Sequence, residues 1–185
     1  MKIFTRKLVA IVAATIVGAA AVSVAAASLR PAGGDSAGVS AAIRATAKYR
    51  SASVATRAGY GLLRDKDGIA CIAMDDMPGM GAMGVHFVKS TLVADPAIAT
   101  RSPEALVYAP AGGGKLKLAA LEYVVLQQAW DAKHASPPKL FGQTFALTPT
   151  GNRFGLPAFY SLHAWVWKPN PNGMFSMWNP DVTCR

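Results

Sequence analysis

The chain has 185 residues, a formal net charge of +9 and two cysteines. A chain of this length fits one domain with an ordinary hydrophobic core rather than several domains. Its lysine and arginine side chains are scattered and form no basic run with interleaved aromatic residues, so nucleic-acid binding is not predicted.

Residues 1–27 have the layout of a secretory signal peptide. An uncharged apolar run from 8 to 24 lies between a basic start and a stretch of small residues. We expect cleavage near Ala27, which removes three basic residues and lowers the net charge to +6. Because the run is at the short end of what spans a bilayer, an uncleaved anchor is the alternative. The prediction is an exported protein, periplasmic or extracellular, without a stable membrane span after cleavage.

A linker rich in proline, glycine and alanine follows from 28 to 39. The next segment predicts a helix, with Ser40 as its N-cap and with apolar residues near helical spacing up to about Tyr60. We expect one amphipathic helix that packs against a sheet. Residues 40–185 are then a single globular domain.

Beyond the helix the sequence changes to short strand-like runs bounded by turn residues. A glycine-rich connection at 110–115 predicts a β-hairpin, and a short helix is expected at 127–135, before two prolines. The fold prediction is an α+β domain with a largely antiparallel sheet of about six strands. The predicted strands are 69–73, 85–89, 105–109, 116–126, 139–147 and 159–168.

Cys71 and Cys184 are the two cysteines of the chain. In an exported protein an even number of cysteines most simply predicts a disulfide, here one that clamps a turn-rich C-terminal tail to an early strand. The alternative is that both thiolates ligate a metal ion. No C-x-x-C pair supports that alternative.

Methionines recur at every third position in the segment before the second predicted strand. Met74, Met77, Met80 and Met83 form this series, and His86 occupies the next place. Thioether sulfur and imidazole suit copper(I), and a loop rich in glycine can fold several of them around one ion, so Met80 and Met83 are candidate ligands. The alternative is that the methionines fill gaps beside the core.

Three polar residues interrupt strands that are otherwise apolar. His86, Glu122 and His163 each lie in a predicted strand, where a buried charge is costly unless it is paired or bound to a metal. Two imidazoles and one carboxylate on neighbouring strands form a ligand set for copper, zinc or iron that leaves coordination positions open. A metal-free hydrogen-bonded couple of Glu122 with either histidine is the alternative. His134 lies in a polar segment and is predicted to be a surface residue.

Tryptophans near the third of these residues support a different hypothesis. His163, Trp165 and Trp167 alternate along the last predicted strand and are expected to share one face. They could then line a pocket for an organic ligand in a metal-free secreted or envelope binding module.

Common catalytic motifs are missing from the sequence. It contains no nucleophile elbow, phosphate-binding loop, dinucleotide fingerprint or H-E-x-x-H helix, and the glycine cluster at 112–114 is interpreted as a turn. The leading prediction is an exported protein that binds a transition metal, with carrier and enzyme both left open. Its predicted partner is a metal ion or a small ligand.

Several segments together resemble a family of small exported bacterial proteins of unassigned activity. The segments are M-G-V-H-F-V, P-E-A-L-V-Y, L-E-Y-V-V and the long string L-H-A-W-V-W-K-P-N-P-N-G-M-F-S-M-W-N-P-D-V-T-C. The resemblance covers residues from about 40 to 185. It implies kinship and export, and it assigns no ligand or catalytic role to any residue.

Overall fold

The computed structural model describes residues 35–74 and 76–184. The predicted signal peptide and residues 28–34 of the predicted linker lie outside these ranges. Within them, no helix combines the length and the apolar character that crossing a bilayer requires.

The predicted α+β architecture is confirmed. The described α-helices are α1 Ser36–Thr46, α2 Ala52–Arg57, α3 Ser90–Val93 and α4 Gln127–Asp131, and a 3-10 helix at Ala47–Arg50 continues α1. The described strands are β1 Gly61–Leu62, β2 Cys71–Ala73, β3 Ala82–Val88, β4 Ala105–Pro110, β5 Leu116–Leu126, β6 Lys139–Leu140, β7 Gln143–Thr144, β8 Ala146–Thr148 and β9 Phe159–Ala164.

All strand pairs in the described part of the chain are antiparallel. Seven strands form one sheet in the order β1-β3-β4-β5-β9-β8, with β2 paired to β3, and β6 and β7 form a separate hairpin. The sheet therefore has one strand more than the six predicted. The additional strand is the short β1, which has only two residues and gave no detectable alternation in the sequence.

The predicted single N-terminal helix is wrong in two respects. It begins at Ser36, because the Asp35 carboxylate rather than Ser40 caps it by accepting a hydrogen bond from the Gly38 amide at 2.9 Å. Residues 36–39 of the predicted linker are thus helical. The helix also breaks at Ser51, where the backbone is extended with φ −95° and ψ 121°.

A tertiary contact accompanies this break. The Tyr49 carbonyl, which a continuous helix would use internally, instead accepts a hydrogen bond from the hydroxyl of Tyr108 in β4 at 2.6 Å. The sheet thus supplies the hydrogen bond that the interrupted helix has lost.

Two predicted strands are shorter than expected. A tight turn in the run 139–147, in which Phe141 has φ 54° and Gly142 has φ 75°, separates β6 from β7. A second interruption at Phe145 separates β7 from β8. The run 159–168 ends at Ala164, and Trp165 then donates its backbone N–H to the carbonyl of Met174, outside the sheet. The predicted helix at 127–135 likewise ends at Asp131.

The two faces of the sheet have different surroundings. One face carries the main hydrophobic core, which includes Leu106, Tyr108, Leu121, Tyr123 and Val125 and packs against residues of α1 and α2. The other face, which we call the site face, carries His86, Glu122 and His163. Residues that pair directly across neighbouring strands share a face, and Glu122 pairs with both Ala105 and His163. His86 pairs with Val107, which lies two positions from Ala105 on β4 and therefore on the same face.

The C-terminal segment is clamped to the sheet by the predicted disulfide. Cys71 and Cys184 are joined with their Cα atoms 5.6 Å apart and 113 positions apart in sequence. A loop of this length gives about 4–5 kcal/mol in the chain-entropy account of disulfide stabilisation. The disulfide excludes metal ligation by these two thiolates and is consistent with export, because such bonds form in oxidising compartments. Asn179 and Ala82 also exchange two backbone hydrogen bonds of 3.2 Å each.

A bulge in β3 lies just before His86. The pairing of β2 with β3 shifts between Ile72 and Ala73. At this point Gly84 has φ +102°, and a Cβ added to it would lie 2.6 Å from the Tyr108 carbonyl oxygen. Only glycine meets both demands, so Gly84 allows β3 and β4 to approach closely where the strand enters the site.

We expect Gly84→Ala to lower the free energy of unfolding by more than about 3 kcal/mol, because strain at positive φ and a backbone clash add together. Gly79→Ala is the matched control, since Gly79 has φ +88° and open space around its Cα. It should cost about 1 kcal/mol. Urea denaturation of the disulfide-bonded proteins measures both values, and equal losses would contradict the account.

Glu104 is a buried acid that the sequence analysis did not single out. Its residue is 2% exposed, and its carboxylate accepts a hydrogen bond from the Val124 amide at 3.0 Å. Burial raises the pKa of this carboxyl from 4.5 to about 8, against the opposing effect of that amide.

Glu104→Gln should therefore stabilise the protein at pH 8 and change little at pH 5. The folded chain holds this proton to a higher pH than the unfolded chain, so its stabilising contribution is complete below pH 4.5 and is lost as the pH rises through about 8. We expect a gain of roughly 1–3 kcal/mol at pH 8 from thermal or urea unfolding. Asp67→Asn makes the same change in charge at an exposed position, and an equal gain in that control would refute the assignment.

Candidate metal centre

Three side chains from three strands meet at one point of the site face. The Nε2 atoms of His86 and His163 lie 3.4 Å apart. Glu122 Oε2 lies 3.4 Å from Nε2 of His86, and Glu122 Oε1 lies 3.3 Å from Nε2 of His163. Both imidazole side chains are 2% exposed and the carboxylate is 12% exposed. The predicted convergence of these three residues is confirmed.

The donor spacing matches the edge of a tetrahedral metal site. Donors bound to a tetrahedral ion at about 2.0–2.1 Å lie about 3.3 Å from one another. Direct hydrogen bonds between a charged imidazole and a carboxylate are shorter, at about 2.7–2.9 Å. Each imidazole approaches a different oxygen of Glu122, and both of these distances are longer than a short charged hydrogen bond. The three residues together can hold a metal ion.

The C-terminal segment orients one of the two imidazoles. Nδ1 of His163 lies 2.9 Å from the Met177 carbonyl oxygen, which can only accept, so Nδ1 carries the hydrogen and donates it. In the neutral ring Nε2 is then the atom with the free lone pair, and it faces the other two donors. A carbonyl behind a ligating histidine is a common second contact in metal sites.

The other imidazole is held mainly by packing. Among the described residues, Nδ1 of His86 is buried and has no hydrogen-bond partner. The backbone of Gly84 favours the protonated form of this ring. The two imidazole rings stack at 5.6 Å between centroids with 27° between their planes.

Burial and neighbouring charges give two of the three groups the protonation state that a metal ligand needs. Burial by itself would raise the pKa of Glu122, but the two histidines outweigh it, with help from the Ser161 hydroxyl, and lower it to about 2. Burial lowers the pKa of His86 to about 4, against the attraction of Glu122. At neutral pH Glu122 is therefore ionised and His86 is neutral, as metal ligands must be.

His163 differs in its protonation. Burial tends to lower its pKa, but the charge and the hydrogen bond of Glu122 together raise it above its ordinary value of 6.5. A metal ion bound to Nε2 of His163 would compete with the proton that this shift favours.

Two cavities meet at Glu122. One, which we call the apolar cavity, has a volume of about 520 Å³ and extends along β5 away from the histidines. The other, which we call the methionine cavity, has a volume of about 310 Å³ and is lined by Met74, Met83 and Met177 together with Glu122. Phe154 and Phe159 line both.

Only some methionines of the series lie beside the candidate site. Met83 is 6% exposed and lines a cavity that also contains Glu122, as does Met74. Met80 is half-buried and lines neither of the two cavities at Glu122, and Met77 is 47% exposed. Copper ligation by Met80 and Met83 stays a prediction.

The predicted common face of the two tryptophans is wrong, because β9 ends before them. Trp165 is buried in a small cluster with Val107 and Val182, and its indole N–H donates to the Ser176 carbonyl. Trp167 instead packs against the main core and donates its indole N–H to the Thr46 hydroxyl at 3.2 Å. The two indoles therefore belong to different clusters.

His134 is exposed and stacks on Trp130 with 3.8 Å between ring centroids, so its predicted surface position is confirmed.

Sequence reasoning missed three contributors to the site. The carbonyl of Met177 carries no signal in the sequence, since every residue has one. Ser161 did have a signal, because it lies two positions before His163 in an apolar strand and therefore shares its face. Arg153 lines the methionine cavity and pairs with Asp65 at 2.7 Å, a contact across 88 positions that local patterns do not reveal.

Comparison with protein-family models, with curated proteins and with solved structures found no match to this chain. The interpretation of the site therefore rests on the chemistry and geometry of its own residues.

Binding of Zn²⁺ to the metal-free protein near pH 6.5 should release a measurable number of protons, because Glu122 raises the pKa of His163 and a histidine that ligates zinc must be neutral. Calorimetric titration in buffers with different ionisation enthalpies measures this number directly. Binding without proton release would show that His163 is not a ligand or is neutral before the ion arrives.

Proposed function

We propose that this chain is an exported protein that binds one divalent transition-metal ion through His86, Glu122 and His163 and leaves a further coordination position open. The observation that carries the proposal is the convergence of three buried side chains: the two Nε2 atoms lie 3.4 Å apart, and each lies 3.3–3.4 Å from a different oxygen of Glu122.

The donor set favours zinc as the first ion to test. Two imidazole nitrogens and a carboxylate oxygen suit Zn²⁺, Fe²⁺ and Cu²⁺, while copper(I) prefers softer ligands. Each of the three distances is close to the spacing of about 3.3 Å between neighbouring donors on a tetrahedral ion such as zinc.

Three protein ligands with an open fourth position are characteristic of zinc sites that act on a bound molecule, whereas structural zinc sites have four protein ligands. The described residues supply three such donors, and two cavities adjoin the carboxylate. We propose that the fourth position takes water or an exogenous ligand.

Copper binding is the second candidate, and a specific observation supports it. Three thioether-bearing residues, Met74, Met83 and Met177, line the methionine cavity beside Glu122. In this alternative a methionine sulfur replaces the open position, and the protein is a copper carrier. The metal-free binding module is the third candidate, but its two tryptophans lie in different clusters.

Export is part of the proposal and rests on two features. The basic start and apolar run of the leader match a signal peptide, and the chain carries a disulfide between distant cysteines. Kinship with the family of small exported proteins that the sequence resembles is likewise part of the proposal.

The protein purified without a histidine tag from an oxidising compartment should contain or take up about one zinc ion per chain. Zinc at about 100-fold above its Kd should stabilise the folded protein by about 2.7 kcal/mol. His86→Ala, His163→Ala and Glu122→Gln should each lose most of the zinc and most of this stabilisation. Elemental analysis and thermal unfolding with and without zinc provide both readouts.

His134→Ala is the matched control, because it removes an exposed imidazole outside the site. It should leave stoichiometry and stabilisation unchanged. Each variant is first shown to be folded by its metal-free melting transition. If the wild-type protein neither contains nor is stabilised by zinc, iron or copper, the metal proposal is wrong.

A further inference from the structure

The apolar cavity has the size and lining of a small-molecule site. Its volume of about 520 Å³ lies within the range of ligand pockets in proteins. Its floor is formed by the site face of the sheet, and α3 and the segment before β9 form its walls. Aliphatic and aromatic side chains dominate the lining, which includes Leu62, Val93, Val124, Leu126, Leu156 and Phe159.

This cavity has few polar side chains. Glu122 is the only ionisable side chain among its described lining residues, and Ser90 is the only other polar side chain there. Val124 and Leu126 continue the same face of β5 beyond Glu122, and four residues of strand span about 13 Å. The cavity is thus a long apolar space that begins at the carboxylate of the metal centre.

The charge at that end follows from the proposed function, on which this inference rests. A divalent ion with one carboxylate and two neutral imidazoles has a net charge of +1. The guanidinium of Arg153 lines the adjoining methionine cavity and is paired with Asp65. With the ion bound, this end of the apolar cavity therefore favours an anionic group, and the rest of the cavity favours an apolar chain.

We propose that the apolar cavity binds an amphipathic carboxylate, with its alkyl chain along Val124 and Leu126 and its carboxylate on the open position of the ion held by Glu122. A carboxylate oxygen is a good ligand for zinc, and it fits a centre that already has three protein donors. The class of molecule is therefore a medium-chain fatty acid rather than a neutral or cationic amphiphile.

Binding of such a molecule depends on the metal ion. Without the ion, the carboxylate of Glu122 is the only ionisable group among the described lining residues, and it does not attract an incoming anion. The ion and the carboxylate therefore raise each other's affinity, since coupling between two ligands is reciprocal.

Calorimetric titration of the zinc-loaded and the metal-free protein with octanoate tests the proposal. We expect octanoate to bind the zinc-loaded protein with one site and to bind the metal-free protein about tenfold more weakly or worse. Acetate, which has the head without the chain, and 1-octanol, which has the chain without the charge, should each bind at least about tenfold more weakly than octanoate.

Substitutions at the rim of the cavity separate binding from folding. Leu62 and Leu156 line the cavity and are 45% and 36% exposed, so Leu62→Glu and Leu156→Glu place a charge there at little cost in core packing. Each should weaken octanoate binding about tenfold and leave zinc stoichiometry unchanged. Leu147→Glu is the control, because Leu147 is 48% exposed on β8 and does not line this cavity.

The outcomes distinguish the two proposals. Three outcomes would overturn this inference and leave the proposed metal site intact. The protein binds zinc but not octanoate, it binds octanoate equally with and without zinc, or it binds 1-octanol as tightly as octanoate. A failure to bind any metal would overturn both. Weakening by Leu147→Glu as strong as by Leu62→Glu would show that octanoate binds elsewhere and would also overturn the inference.

Discussion

A carboxylate held between two buried imidazoles is the constraint on which the described structure depends. Removing a charged group from water is costly unless a partner of opposite charge compensates it. Glu122 lies on strand β5, and its partners come from β3 and β9. Because β4 lies between β3 and β5, four strands must keep their register for the compensation to persist. The Gly84 bulge, the Cys71–Cys184 disulfide and the hydrogen bond from His163 to Met177 all act on this same region.

The two faces of the sheet differ, because one carries the main hydrophobic core and the other carries the candidate site. One face is filled by the main core under the N-terminal helices, and its large side chains leave little room for a ligand. The site face has a smaller cluster under the C-terminal segment, then the candidate metal centre, then the apolar cavity. Alternation along a strand allows this division, because neighbouring residues such as Leu121 and Glu122 point to opposite sides.

Much of the architecture and the core of the site could be predicted from the sequence. Period-two patterns in long strands placed Glu122 and His163 correctly, and cysteine parity predicted the disulfide, because both signals are local or compositional. The break at Ser51, the end of β9 at Ala164 and the turn at Phe141 could not be predicted, since tertiary contacts and backbone conformation decide them. The Met177 carbonyl and the two cavities likewise exist only after folding. The methionine repeat indicated the correct region, but spacing in sequence did not identify which sulfurs lie beside Glu122.

X-ray absorption spectroscopy of the zinc-loaded protein tests the central claim most directly, because it reports the ligands of the ion themselves. The account predicts a shell of nitrogen and oxygen donors at about 2.0–2.1 Å, with the outer-shell scattering of two imidazole rings. Glu122→Gln should alter that shell, and His134→Ala should not. A sulfur shell at about 2.3 Å, or a spectrum without imidazole scattering, would contradict the account.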